Sequence, residues 1–432
     1  MPAASPVLRD LWVDPQDVFA ALIRENPHAQ IFWLDAGPDA DAGWSWIGTG
    51  SSASAGEVRD VVVSRSPVGD APAGRVRGGW VGWVGYEAGA SAATAPVAVD
   101  HAPHQAWLRI ERLISFDHAS HRVWSVLGDM PEVGGAASFA SVGSATPRVS
   151  RARVSAADYA DQVRACREAI RRGDAYQLCL TTRFEVDGAV DPLAAHDALR
   201  RATPSHHGAL LRFGATSLVS ATPERFLEAV DGVLRTHPIK GTRPRGVTAE
   251  EDARLVAELR DDPKERAENV MIVDLMRNDL ARVCDPATVT VERLLEVESY
   301  PAVHQLVSTI AGRVTPGTTV GDVLDAVFPA GSMTGAPKLS AMTILHGLER
   351  APRGAFAGCF GWVGDDGELD LAMTIRTIVV HPAGAYIGAG GGITWGSVPE
   401  AEVDEVALKA AAPLAAIGAT LPPDWVSGRP LT

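Results

Sequence analysis

Asp262-Pro263-Lys264-Glu265-Arg266-Ala267-Glu268-Asn269-Val270-Met271-Ile272-Val273-Asp274-Leu275 reads as the opening of a helix that carries two acids on one side. Proline is tolerated in the first helical turn, where its missing N–H leaves no gap in the bonding, and the run continues through Glu268, Met271, Ile272 and Leu275. Glu265 and Glu268 are three apart and so project from one helix face. The same spacing recurs at Glu402 and Glu405, in a last helix that begins near Pro399 and runs through Lys409 into an alanine-rich tail. Further upstream, Ser155 with Asp158 resembles a capping box, and Tyr159, Val163, Cys166 and Ile170 share a face before Gly173. Thr248 with Glu251 opens another helix that ends near Asp261, and Ala175–Phe184 reads as a strand. Helices alternate with strand runs without regular βαβ units, which is an α+β signature.

Residues 1–150 have a different texture from 151–420. The first part is rich in Ala, Gly, Ser and Trp, with short apolar runs such as Gln30–Leu34 and the glycine-punctuated Gly78–Tyr86. Such runs, separated by turn residues, suggest strands of an antiparallel sheet. The small polar stretch Gly134–Arg153 reads as a linker.

The chain has 432 residues, 39 basic and 53 acidic, for a net charge of −14. With no run of Lys and Arg, that balance argues against nucleic acid as a partner. A small anionic substrate would need cations placed locally. No segment approaches the roughly 18 uninterrupted apolar residues of a membrane helix, and Met1–Pro6 lacks the basic start of a secretory signal. Cys166, Cys179, Cys284 and Cys359 are scattered without CxxC spacing, so neither zinc site nor disulfide framework is suggested. The expected compartment is cytoplasmic.

Two glutamate pairs facing each other across a cleft would offer oxygen ligands to one hard cation. Glutamate is equally at home on any solvated helix face, so the pairs alone leave both readings open. Pro238-Ile239-Lys240-Gly241-Thr242-Arg243-Pro244-Arg245-Gly246 sets one lysine between an aliphatic residue and a glycine. An uncharged amine held there is a nucleophile or a base, while a solvated basic loop is the plainer alternative. Gly388–Ile393 and Gly331–Lys338 each read as glycine-lined turns near a small anion, or as ordinary tight turns. Neither completes a dinucleotide or phosphate-loop motif. Ala357 breaks the G-x-C-x-G spacing around Cys359, which reads as a structural residue. His304, beside Gln305 in an apolar stretch, is either a pocket group or a satisfied core histidine.

Taken together the segments resemble the chorismate-utilising enzymes, the family of the component I subunits of anthranilate synthase and aminodeoxychorismate synthase. The resemblance is carried by Gly173–Gln177, Ser220–Phe226, the Lys240 segment, Glu268–Leu280, Gly335–Lys338, Ile375–Thr377, Ala389–Ile393 and Pro399–Glu402. It covers roughly residues 151–415, with looser likeness in Gly43–Gly48 and Gly78–Tyr86.

It implies an anthranilate synthase component I-like fold: two antiparallel β-sheets packed as a sandwich with helices outside, the N-terminal region 1–150 interwoven with a chorismate-binding catalytic region 151–420. It also implies Mg²⁺ held by Glu268 and Glu405 with Glu265 and Glu402 in support. Chorismate carboxylates would be held by Arg376 and Lys409 and the amides of Gly390, Gly391 and Gly392, with Ser332 and Thr334 in the substrate loop. Glu224 stands at the general-acid position. Gln177 stands where water-adding members carry a lysine base. Lys240 stands where anthranilate synthases carry alanine and aminodeoxychorismate synthases carry the nucleophilic lysine. The implied reaction is amination of chorismate to 4-amino-4-deoxychorismate, on the way to 4-aminobenzoate and folate, with ammonia from a separate glutamine amidotransferase subunit. The alternatives are anthranilate synthase component I and a non-catalytic homologue. Two departures stand out: Gln305 replaces the family's pocket histidine, with His304 one place earlier, and Phe356 replaces a tyrosine.

Overall fold

The computed structural model describes residues 6–9, 11–64, 71–99, 103–134, 147–300 and 303–426. Most of the expected linker (135–146) and the extreme N-terminus lie outside the described residues.

The architecture turns on one long strand, Gln105–Asp117. Along one edge it pairs with Trp44–Ala53, ten residues deep. Along the other it serves two strands in succession, Trp80–Val84 against Gln105–Arg109 and Arg122–Leu127 against Leu113–Asp117. Register slips at Thr49/Gly50 and Leu113/Ile114 are bulges, which bend a strand and increase its twist. Two antiparallel layers diverge from this bend. The first runs through Trp44–Ala53, Ile31–Asp35, His207–Phe213, Thr216–Thr222, Thr377–His381, Gly384–Ile393 and Gln177–Asp187. The second runs through Trp80–Val84, Cys359–Val363, Leu369–Met373, Arg225–Val230, Val233–Thr236 and Val303–Arg313. Ile239–Pro244 and Thr290–Ser299 flank that last strand. The expected sandwich is therefore present, with its sheets hydrogen-bonded into one network of 20 strands.

Aromatic and branched side chains fill the space between the layers, among them Phe32, Trp83, Leu108, Phe360 and Trp362. Burying each contributes about 1.5–3 kcal/mol. Helices cover the outer faces. Ala156–Arg171 and Pro399–Ala416 press Tyr159, Val163, Val406 and Leu414 onto the first layer. Pro263–Leu280 and Val320–Val327 press Ile272, Met276 and Val323 onto the second. Ser155, Thr248 and Asp262 cap their helices through side chains that accept backbone N–H bonds, at the positions read from the sequence.

The chain passes between layers twice at one place. After Thr222 it crosses through Pro223-Glu224 to Arg225, and after Met373 it returns through Thr374-Ile375-Arg376. The crossings lie side by side: Met373 N–H donates to Glu224 O at 2.9 Å and Ala221 N–H to Arg376 O at 3.2 Å. Arg376 has φ +48°, a left-handed conformation that costs a non-glycine residue about 1–3 kcal/mol and concentrates at functional sites. Gly388–Ile393 corrects the sequence reading: it is no turn but part of a strand paired with Gln177–Asp187. The glycines leave room for what packs on them. A methyl group on Gly388 would meet Phe356 Cγ at 2.1 Å, and one on Gly391 would meet Glu402 Oε2 at 2.9 Å. Among the described residues no helix is long and apolar enough to cross a membrane.

Candidate active site

Glu224 sits at the double crossover, buried, and accepts a hydrogen bond from Ser332 Oγ at 3.3 Å. Burial pushes its carboxyl up to about 7, against the opposing pull of Lys240, the Ser332 hydroxyl, Lys409 and the Ile239 amide. A carboxylic acid that keeps its proton near neutral pH can serve as a general acid.

Lys240 reaches the same place from the strand Ile239–Pro244. The register slips between Lys240 and Thr242, with Gly241 at φ +79° making the bulge. A side chain on Gly241 would strike Leu259 Cδ1 at 2.7 Å and Glu265 Cδ at 3.1 Å, so glycine is required beside the lysine. A methyl group on Gly392 would fall 2.5 Å from Gln177 Nε2 and 3.5 Å from Lys240 Nζ, which places the amine and the amide against one stretch of strand.

Several polar groups here are unpaired. Among the described residues neither Lys240 Nζ nor the Arg376 guanidinium has a hydrogen-bond or ion-pair partner. Both amide atoms of Gln177 are buried without a hydrogen-bond partner, as are Thr374 Oγ1 and Glu268 Oε1. Leaving a buried polar group unmatched costs about 1–3 kcal/mol, so a concentration of them marks a place where a polar ligand completes the bonding.

The four glutamates lie on two helices and are coupled through their charges to one another and to Lys240. Burial holds Glu268, Glu265 and Glu402 above the usual carboxylate range, and neighbouring acids add to the effect in each case. Glu405 pairs with Lys409 Nζ at 2.6 Å, and Lys409 also donates to Gly390 O at 2.9 Å. Among the described residues no three His, Cys, Asp or Glu side chains converge into a ready-made metal site. The oxygen-only donor set, with the unmatched Glu268 Oε1 in it, nonetheless fits a hard cation that takes one or two carboxylates and completes its shell with water and substrate oxygen.

Not every expected residue joins. Thr334 donates its hydroxyl to Ala330 O at 3.1 Å, within its own turn. His304 is fully buried, with its ring held between Asp252 and Ser299 at 2.9 and 2.8 Å, so it is a satisfied structural histidine. Gln305 points to the other face of the strand, as the alternation requires, with Oε1 buried and unmatched. Cys359 is buried in a strand and burial pushes its thiol up, consistent with a structural role. Lys338 of the glycine-rich turn is spent on Asp279 at 2.7 Å. The sequence reading missed Lys264, 3.9 Å from Glu268 Oε1 at i,i+4 spacing, a pattern that could have flagged it. A separate cavity of about 300 Å³ is lined by Trp44, Trp46, His207, Arg225, Trp362 and Asp370 among others, and none of its lining residues belongs to the Glu224–Lys240 cluster.

Comparison with known proteins places the chain in one family. The profile of a family described as chorismate binding enzyme matches residues 49–415. An aminodeoxychorismate synthase from Streptomyces pristinaespiralis is 46% identical over 260 residues, 60% of this chain and 36% of that protein. Anthranilate synthase component 1 from Thermus thermophilus is 44% identical over 259 residues, 60% of this chain and 56% of that protein. The chain thus spans about a third of the first relative and just over half of the second. The crystal structure of anthranilate synthase component I from Streptococcus pneumoniae superposes with a TM-score of 0.72 at 25% identity, covering 96% of this chain and 93% of that one. The chain belongs to the chorismate-binding enzyme family.

Proposed function

We propose that this chain aminates chorismate at C4, as the component I of an aminodeoxychorismate synthase. The observation that carries the reading is the Lys240 amine, without a hydrogen-bond or ion-pair partner among the described residues, set against the Gln177 amide and near a buried Glu224 whose proton is held to about 7. Relatives named aminodeoxychorismate synthase and anthranilate synthase are similarly close, so sequence identity alone does not choose between C4 and C2 amination. Lys240 chooses.

The chemistry follows from placement. The Lys240 amine adds through its lone pair to C2 of chorismate, both ring double bonds shift along the diene, and the C4–O bond breaks. Glu224 gives its proton to the departing hydroxyl, which leaves as water. Ammonia then adds at C4, both double bonds shift back, and the C2–N bond breaks to return the lysine. The proton shed by the added ammonia restores Glu224. Covalent catalysis of this kind divides one hard displacement into two easier ones. Gln177, having no acid–base function, leaves water unactivated at C2. Arg376 binds a substrate carboxylate bidentately, with Lys409 beside it. Glu268 and Glu405, with Glu265 and Glu402, would hold Mg²⁺. The bound cation would offset a second anionic group of the substrate. Ammonia would come from a separate glutamine amidotransferase subunit. The expected compartment is the cytoplasm.

Two measurements test the proposal. Chorismate, ammonium and Mg²⁺ incubated with the purified chain should yield 4-amino-4-deoxychorismate by mass spectrometry; anthranilate with pyruvate would sink it in favour of C2 amination. Glu268→Gln should weaken Mg²⁺ binding, read by calorimetry with the metal alone, by roughly ten- to a hundredfold. Unchanged affinity would remove Glu268 from the metal set.

A further inference from the structure

Arg353 lies just past the helix Lys338–Glu349, and its side chain is only 2% exposed. Its guanidinium makes four hydrogen bonds. Two run to Glu349, Nε to Oε2 at 2.9 Å and Nη2 to Oε1 at 2.7 Å. The others reach the backbone of two different segments: Nη1 to Met333 O at 2.7 Å and Nη2 to Cys179 O at 2.8 Å. Met333 lies between Ser332 and Thr334, and Cys179 lies two residues beyond Gln177 on the same strand.

The clamp is itself held from both sides. Glu349 Oε1 also accepts from Thr181 N and Thr181 Oγ1, each at 2.9 Å. The carboxylate of Glu87 accepts the backbone N–H groups of Arg353 and Gly354 at 2.6 and 2.9 Å, and the Tyr86 ring centroid lies 4.3 Å from the guanidinium. A buried ion pair with this many satisfied bonds adds little net stability relative to an apolar replacement, but it fixes geometry, since each bond is directional and short.

We propose that Arg353 is a positioning residue for the chorismate site: it sets the separation between the Ser332 turn and the Gln177 strand, and through that turn aims the Ser332 hydroxyl at Glu224. The inference rests on the reading of Glu224 as general acid given above. The groups that face Glu224 are Lys240 and the Ile239 amide from one strand, Arg376 from the second crossover, Lys409 from the last helix, and Ser332. Of these, Ser332 is the one whose position depends directly on Arg353, through the adjoining carbonyl of Met333.

Arg353→Lys keeps the charge but cannot span Glu349 and two carbonyls at once. When Ser332 slips from Glu224, a bond favouring the carboxylate form is lost, so the acid form persists to higher pH. A hydrogen bond of ordinary strength corresponds to a movement of about half a unit to one unit. The basic limb of the pH–rate profile for ammonia-dependent amination should therefore move upward by that amount. The rate constant kcat should fall ten- to about a hundredfold, with a smaller change in KM. Ser332→Ala should move the same limb the same way, and Arg353→Lys added to Ser332→Ala should move it no further. A merely structural arginine would lower thermal stability and leave the limb in place in both backgrounds, and that result overturns the proposal. If Arg353→Lys does not fold, Thr181→Val, which loosens Glu349 alone, should move the limb in the same direction by less; an unmoved limb there overturns the proposal equally. Absence of any aminated product from the wild-type chain would sink the reaction assignment instead, and wild-type activity run alongside separates the two failures.

Discussion

Replacing Lys240 by alanine is expected to lower ammonia-dependent amination of chorismate by at least about a hundredfold, with Mg²⁺ binding largely retained. Lys240 Nζ has no hydrogen-bond or ion-pair partner among the described residues, so its removal strands no buried carboxylate that depended on it for a direct bond. The loss should therefore fall on kcat rather than on folding, and a thermal melt near that of the wild type checks this. One side effect has a definite sign. Lys240 is the strongest of the groups opposing the upward shift at Glu224, so Glu224 should hold its proton to still higher pH in the variant. The general acid thus remains available while the nucleophile is gone. Normal turnover with ammonium in Lys240→Ala would show that the covalent step is wrong.

Glu224→Gln should cost roughly 10²- to 10⁴-fold in rate. Glutamine preserves the size of the side chain and an acceptor for Ser332 Oγ but has no proton to give. The pH dependence separates this from a steric effect. Burial raises the carboxyl to about 7, so the competent, protonated form dominates below that pH, and wild-type rate should fall as pH rises through it. In Glu224→Gln that limb should vanish, leaving a slow and flat profile on the basic side. Rates of the variant within a few-fold of wild type, with the limb intact, would assign the proton to another group.

The local structure was legible because its signals are local. Ser155, Thr248 and Asp262 carry helix-start signals in the sequence and cap their helices in the structure. The i,i+3 glutamates lie on two helices close enough for Glu402 to raise the Glu268 carboxyl and Glu405 that of Glu265. What stayed hidden depends on long-range pairing. Glu224 and Arg376 meet because Thr216–Thr222 pairs with Thr377–His381 while Arg225–Val230 pairs with Leu369–Met373, and no short window of sequence contains both crossings. Glycine permits a turn, so the sequence of Gly388–Ile393 suggests one. In the sheet the same residues are small because Phe356, Glu402 and Gln177 occupy the space that side chains would need. His304 and Gln305 illustrate the period of a strand, in which adjacent residues face opposite ways and one-residue offsets exchange roles. Arg353 was invisible for a further reason: two of its partners are backbone carbonyls, which have no signature in the sequence.

The most direct test of the assignment is to look for the bond between Lys240 and substrate. Wild-type chain mixed with chorismate and Mg²⁺ without ammonia, quenched in acid and measured as intact protein, should carry a fraction heavier by one chorismate less one water. Peptide mapping should place the added mass on Lys240, and Lys240→Ala should lack it. Amination at the wild-type rate with no such adduct, or an adduct on a different residue, would contradict it.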